Sequence, residues 1–134
     1  MAERMSHTAC FEHFDTKPRN VNWSWSARNE EKKTVVVTLW RDEFTKGPEG
    51  DLIYERGPVE PARSNKPGHK ELMANLRFSV DECAGEVKVI IAVAVDPKAD
   101  PRKIKDCRPT NMNAKVVALD ERSGSFRIVA SLKR

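Results

Sequence analysis

Cysteine is scarce in this chain of 134 residues, and the three present, Cys10, Cys83 and Cys107, are odd in number and widely spaced. A disulfide framework needs an even, regularly spaced set, so the pattern reads as reduced thiols inside a cell. Long apolar runs are missing as well. No stretch approaches the ~20 residues of a membrane-spanning helix, and the opening MAERMSH has no apolar stretch of a secretory signal. A cytoplasmic protein with no membrane association is expected.

Motifs that certify catalysis are also lacking. There is no G-x-S-x-G, no glycine-rich phosphate loop and no Cys-His arrangement that spacing alone marks as a nucleophile. The carboxylate pairs Asp42/Glu43, Asp81/Glu82 and Asp120/Glu121 are each adjacent in sequence, so their side chains diverge instead of facing each other across a cleft. His7, Cys10 and His13 recur every three residues, near one helix face. A zinc site usually wants four ligands in paired spacings, and Cys83, Cys107 and His69 are isolated. Neither a metal nor a cofactor is expected, and no catalytic residue is assigned.

What the chain does contain is a charged third (33%) at a length that one domain, residues 1–134, can fold around a core of its own. All three tryptophans fall between residues 22 and 40. Trp23, Trp25 and Ala27 alternate with Asn22, Ser24, Ser26 and Arg28, the period of a two-faced strand, and the β-branched run from Val35 to Trp40 supplies a second strand. The charged stretch Asn29 to Lys33 has hairpin-loop length.

Loop parity then decides what the indoles do, because a one-residue slip turns a strand over. If Arg28 pairs with Thr34, Trp23 and Trp25 join Val35, Val37 and Leu39 in an ordinary core and Trp40 stands half exposed. The opposite parity places all three indoles on one face with Val36 and Thr38, as a large core cluster or as the wall of an aromatic pocket. Rings that bury roughly 150–250 Å² each dominate either structure.

Elsewhere, Ser6 or Thr8 can cap a short helix over 7–14 that ends before Pro18, laying Phe11 and Phe14 on the core. Residues 45–68, with four glycines and four prolines, read as a long loop with a short edge strand at Leu52 to Tyr54. The spacing of Leu72, Met73, Leu76, Val80 and Cys83 predicts a helix over 69–83, stopped by Gly85. VKVIIAVAV, 87–95, is apolar on both faces and predicts a central strand. A basic turn or short helix should follow at Asp100-Pro101, and 115–119 with 125–132 should close a final hairpin around Asp120 to Gly124. The predicted fold is α+β: a small twisted, partly barrel-like, mostly antiparallel sheet of five or more strands with two or three helices.

Charge is uneven. Residues 98–134 carry ten Lys or Arg against four Asp or Glu, a local +6, whereas residues 1–97 sum to −2. A basic third beside an aromatic hairpin suits phosphate contacts and base stacking. The runs NWSWSA (22–27), VVVTLWRDE (35–43), GHKEL (68–72), VAVDP (93–97) and PRKIK (101–105) resemble a bacterial domain type found near restriction or DNA-modification functions. They are similar in style to the PUA-like and EVE-type domains that read modified bases. That resemblance, from Asn20 onward, implies a base pocket made by Trp23, Trp25 and Trp40 with Asn22 and Ser24.

The expected function is therefore a non-catalytic nucleic-acid or nucleobase-binding domain. Trp23, Trp25, Trp40, Asn22, Ser24 and Arg28 would hold the ligand, with Arg56, Arg63, Lys66, Arg102, Lys103 and Lys105 on phosphate. Two alternatives stay open: a protein–protein interaction module anchored by an exposed Trp40, and a small enzyme with a site near the 45–68 loop that uses His69.

Overall fold

The computed structural model describes residues 6–19, 24–48, 50–58, 66–99 and 103–131. Its chain begins with α1 (His7–His13), which Ser6 caps by accepting the Ala9 amide at 3.0 Å. Asp15 ends the helix in left-handed backbone, with φ 60°. The Thr16 hydroxyl donates to the Phe11 carbonyl at 2.7 Å and satisfies one of the acceptors the helix end leaves open.

The strands β1 (Ser26–Asn29) and β2 (Thr34–Trp40) form the expected hairpin. Arg28 pairs with Val35 and Ala27 with Val36, which is the second of the two parities. Between β2 and the next long strand the chain makes a 3₁₀ turn (Arg41–Glu43), then β3 (Thr45–Lys46), β4 (Leu52–Arg56) and α2 (Pro67–Glu82). The segment expected as a loop with an edge strand thus carries two strands. β4 lies inside the sheet, between β3 and β8, because Tyr54 and Leu52 turn inward on alternate positions and join the core.

Proline at the first helical position starts α2, and Ala84 and Gly85, with φ 55° and 82°, stop it. The amides of Cys83 and Gly85 both donate to the Ser79 carbonyl, and the Ser79 hydroxyl donates to the Glu86 carbonyl at 2.8 Å, so the helix end is tied directly to the start of β5 (Glu86–Ala94).

β5 pairs in parallel with β2, from Val36 opposite Lys88 to Trp40 opposite Ala92. Its other edge is shared by two antiparallel strands. β6 (Ile104–Pro109) covers the second half and the first residues of β7 (Asn113–Asp120) the beginning. Thr110 bridges the gap with its amide and its hydroxyl, both donating to the Val89 carbonyl. The basic turn or helix expected after β5, from Asp100 to Lys105, lies outside the described residues at 100–102, and its described part is corrected: Ile104 and Lys105 are extended because the strand they begin pairs with the end of β5. The next described element there is strand β6.

β7 turns through Asp120 to Gly124 into β8 (Ser125–Ser131), which continues to β4 and β3. Asp120 holds this turn by accepting the Arg122 and Ser123 amides, which keeps its carboxyl below the usual carboxylate range. The sheet is mostly antiparallel and open, running from β1 to β3 as its two ends. The fold is α+β, and the sheet stops short of closing into a barrel.

Two cores result, one on each face. Val35, Val37, Leu39, Val87, Val89, Tyr54, Phe126 and Ile128 pack under Met73 and Leu76 of α2. On the reverse face Val36, Trp40, Ile90, Ala92 and Cys107 pack under Cys10 and Phe11 of α1. β2 and β5 are apolar at consecutive positions because both of their faces are covered. β7 and β8 alternate, with Lys115 and Arg127 exposed on the outer side.

Leu76, on the inner face of α2, is wholly buried, so Leu76→Ala is expected to cost about 2–5 kcal/mol in urea unfolding. Gly85→Ala should also destabilise, by about 1 kcal/mol or more, since a methyl would lie 3.1 Å from the Val116 carbonyl oxygen in left-handed backbone. An unchanged midpoint in either variant would contradict this packing.

Candidate functional site

The parallel pairing gathers chemistry at one end of the molecule. β2 and β5 both finish there, and the 3₁₀ turn begins where β2 stops. Because α2 runs back against the strands before β5, its first turn sits at that end too, and so does the amino end of α1 beside Thr38. In open sheets with parallel strands, ligands characteristically lie outside the carboxyl ends of those strands.

On the α1 side stands an aromatic group. The Trp25 and Trp40 ring centroids are 5.4 Å apart and tilted by 53°. His7 stands 5.9 Å from Trp25 and 4.7 Å from Phe11. Trp40 is 8% exposed and belongs to the core, whereas Trp25 and His7 are half-buried. His7 Nε2 and the Thr38 hydroxyl lie 2.7 Å apart, one donating to the other according to the imidazole tautomer. Burial pushes the His7 pKa below the usual imidazole value and keeps the ring neutral near pH 7. The cluster is a half-exposed indole backed by a buried one and flanked by an uncharged imidazole.

On the α2 side stands a polar group. The Tyr54 hydroxyl, at the end of an otherwise buried ring, donates to Glu43 Oε1 at 2.6 Å, and Arg56 Nη2 lies 3.5 Å from the same oxygen. Burial first, and then that hydrogen bond, raises the Tyr54 pKa well above the usual phenol value. His69, in the first turn of α2, is held below the normal imidazole value by burial and by the positive charge of Arg56. Tyr54, Glu43 and Arg56 therefore form a structural knot between β4 and the turn after β2, with a neutral imidazole above it.

The structure separates the residues expected to hold a ligand. Trp25 and Trp40 share one face. Arg28 lies on the other, its guanidinium carbon 4.9 Å from the centre of the Phe78 ring on α2 and its Nη2 3.1 Å from Glu30. Ser24 is buried. Asn22, Trp23, Arg63 and Arg102 lie outside the described residues. Lys66 directly precedes α2 and Lys103 directly precedes β6; both are exposed, and neither makes an ion pair among the described residues. Lys105, on β6, is exposed as well. The Lys103 carbonyl accepts the Val95 amide just past the end of β5, which places Lys103 at the same end as Trp40.

Sequence reasoning missed His7 as a neighbour of the tryptophans, because its partner Thr38 lies 31 residues away. The carboxylate pairs do not assemble into an acid/base couple: Glu82 pairs with Lys33, Asp81 and Glu121 with Arg77, and Asp120 with its own turn. Among the described residues no three His, Cys, Asp or Glu side chains come close enough to hold a metal ion. A groove of about 700 Å³ lies at the opposite end, between the end of α1 and the β1–β2 turn, but Arg28 and Lys17 there face Glu12, Asp15 and Glu30. No protein-family model matches the chain, and no curated protein and no solved structure matches it either.

Because folding lowers the His7 and His69 pKa values below 6.5, the unfolded chain binds protons more readily than the folded one. Stability is then complete above pH 6.5 and declines as pH falls through the window between the unfolded and folded values. Urea midpoints taken from pH 7.5 to pH 5 should fall, and should fall less in His7→Gln. A midpoint that rises on acidification would contradict the burial of both rings.

Proposed function

We propose that this protein is a non-catalytic binder of nucleic acid or a nucleobase-like ligand, and that the ligand lies across the carboxyl ends of β2 and β5. The observation that carries the reading is Trp25: a half-exposed indole held in place by the buried Trp40 behind it, with a neutral His7 at its side. A base stacked on such a ring gains about 1–3 kcal/mol and needs no particular sequence. Lys66, Lys103 and Lys105 then supply phosphate contacts at the same end. Arg56 contributes less, since Glu43 already neutralises it.

The pocket differs from the one implied by the resemblance to PUA-like and EVE-type base readers. Trp40 backs the ring that binds and does not itself touch the ligand, and His7 enters as a contact. Reading of modified bases remains part of this proposal through that resemblance.

The interaction-module alternative loses its anchor, because a Trp40 that is 8% exposed cannot insert into a partner. The enzyme alternative rests on His69, whose surroundings supply Arg56 as a charge neighbour and a Glu43 carboxylate engaged by Tyr54. No acid/base partner for it stands among the described residues.

Tryptophan fluorescence titrated with short single- and double-stranded oligonucleotides tests the reading. Binding should weaken steeply with added salt, and Trp25→Ala should reduce affinity by about 5- to 150-fold, the equivalent of one lost stacking contact. Lys103→Glu should weaken binding and flatten its salt dependence. Unchanged affinity in both variants, or no binding by a folded protein, would remove the proposal.

A further inference from the structure

Folding brings together two cysteines separated by 97 positions. Cys10, from the middle of α1, and Cys107, from β6, have their Sγ atoms 3.4 Å apart. Both are reduced thiols outside any disulfide, 0% and 2% exposed, packed among Phe11, Trp40, Ile90 and Ala92. The third, Cys83, stands apart from them at the end of α2, where its thiol donates to the Lys33 carbonyl. A disulfide has its sulfurs roughly 2.05 Å apart, so the pair needs only a small approach of two side chains already in contact.

We propose that Cys10 and Cys107 form a reversible redox pair, which a small peroxide closes into a disulfide that locks α1 onto β6. One sulfur, as thiolate, attacks a peroxide oxygen and the O–O bond breaks, leaving a sulfenic acid and a hydroxide that becomes water. The second sulfur then displaces the sulfenic hydroxyl, which leaves as a second water with the proton of that thiol. The two sulfurs lose two electrons and the peroxide gains them.

Access sets the timing of this reaction. While α1 is docked the thiols are sealed, and burial, the neighbouring Cys107 and the charge of Asp106 push the Cys10 pKa up to about 12. Thiolate is the reactive form, so the docked pair is inert. A seven-residue helix has little stability of its own. Its lifting exposes both sulfurs, and the closed disulfide then prevents it from lifting again. Because α1 also carries His7 beside Trp25, the latch fixes one wall of the site described above. That last consequence rests on the proposed function; the redox pair does not.

The test uses Cys83→Ala protein, which keeps only the two thiols of interest. After treatment with hydrogen peroxide, thiols counted in denaturant should drop from two to none, the mass should fall by two hydrogens, the chain should stay monomeric on a non-reducing gel, and dithiothreitol should restore both thiols. Low, non-denaturing urea should accelerate the loss. Two thiols that persist under those conditions, a linked dimer, or oxidation to sulfinic acid without a disulfide would overturn the pair. Protease cutting within residues 6–19 should slow severalfold in the oxidised form, and equal cutting would overturn the latch. These readouts hold whether or not an oligonucleotide binds. Comparison of oligonucleotide affinity between the two forms then examines the coupling to the site by itself.

Discussion

Parallel pairing of β2 with β5 is the constraint on which the rest of the molecule depends. Two adjacent strands running the same way cannot be joined by a tight turn, so the chain must cross over, and it spends residues 41–85 doing so. That crossover contains β3, β4 and α2. It also dictates that α2 runs against the strands, which sets the first turn of α2 and the ends of β2 and β5 at one end of the fold. With α2 on one face, the other face of the pair needs its own cover. α1 supplies it with only seven residues, through Cys10 and Phe11. The placement of His7, Trp25, His69 and Lys103 follows from this arrangement and from no local motif.

The two faces of the sheet carry different chemistry. Under α2 the packing is mainly aliphatic, apart from a few polar contacts such as Asn75 with Ser26 at 2.8 Å and Tyr54 with Glu43. Each of these polar groups meets a partner, as burial requires. The α1 face combines indoles, an imidazole and two thiols in a smaller, more polarisable core that a short helix covers. A cover of that size binds less tightly than a sixteen-residue helix. The face with the thiols and the stacking groups is therefore also the one with the shorter cover.

Local signals made much of the architecture legible in the sequence. Ser6 as a cap, Gly85 as a helix stop, the unbroken apolar run of β5 and the Asp120–Gly124 turn are all decided by backbone chemistry within a few residues. β4 was harder to see. Glycine and proline around it imitate a loop, and only the inward packing of Leu52 and Tyr54 against Phe126 and Ile128 makes it a strand inside the sheet. Partners 70 or more residues away in the chain leave no local trace.

The site divides in the same way. Composition and spacing by themselves determined that two aromatic strands would pair, that the chain would fold as α+β, and that positive charge would collect in its last third. Whether Trp40 was exposed or buried could not be read, because two loop parities differing by one residue are equally consistent with the pattern. The tertiary structure decided it by pairing Arg28 with Val35, which turned Arg28 toward Phe78 and both described indoles toward α1. The meeting of Cys10 with Cys107, and of His7 with Thr38, was likewise settled only by packing, since contact between distant positions depends on which faces the sheet presents to which helix.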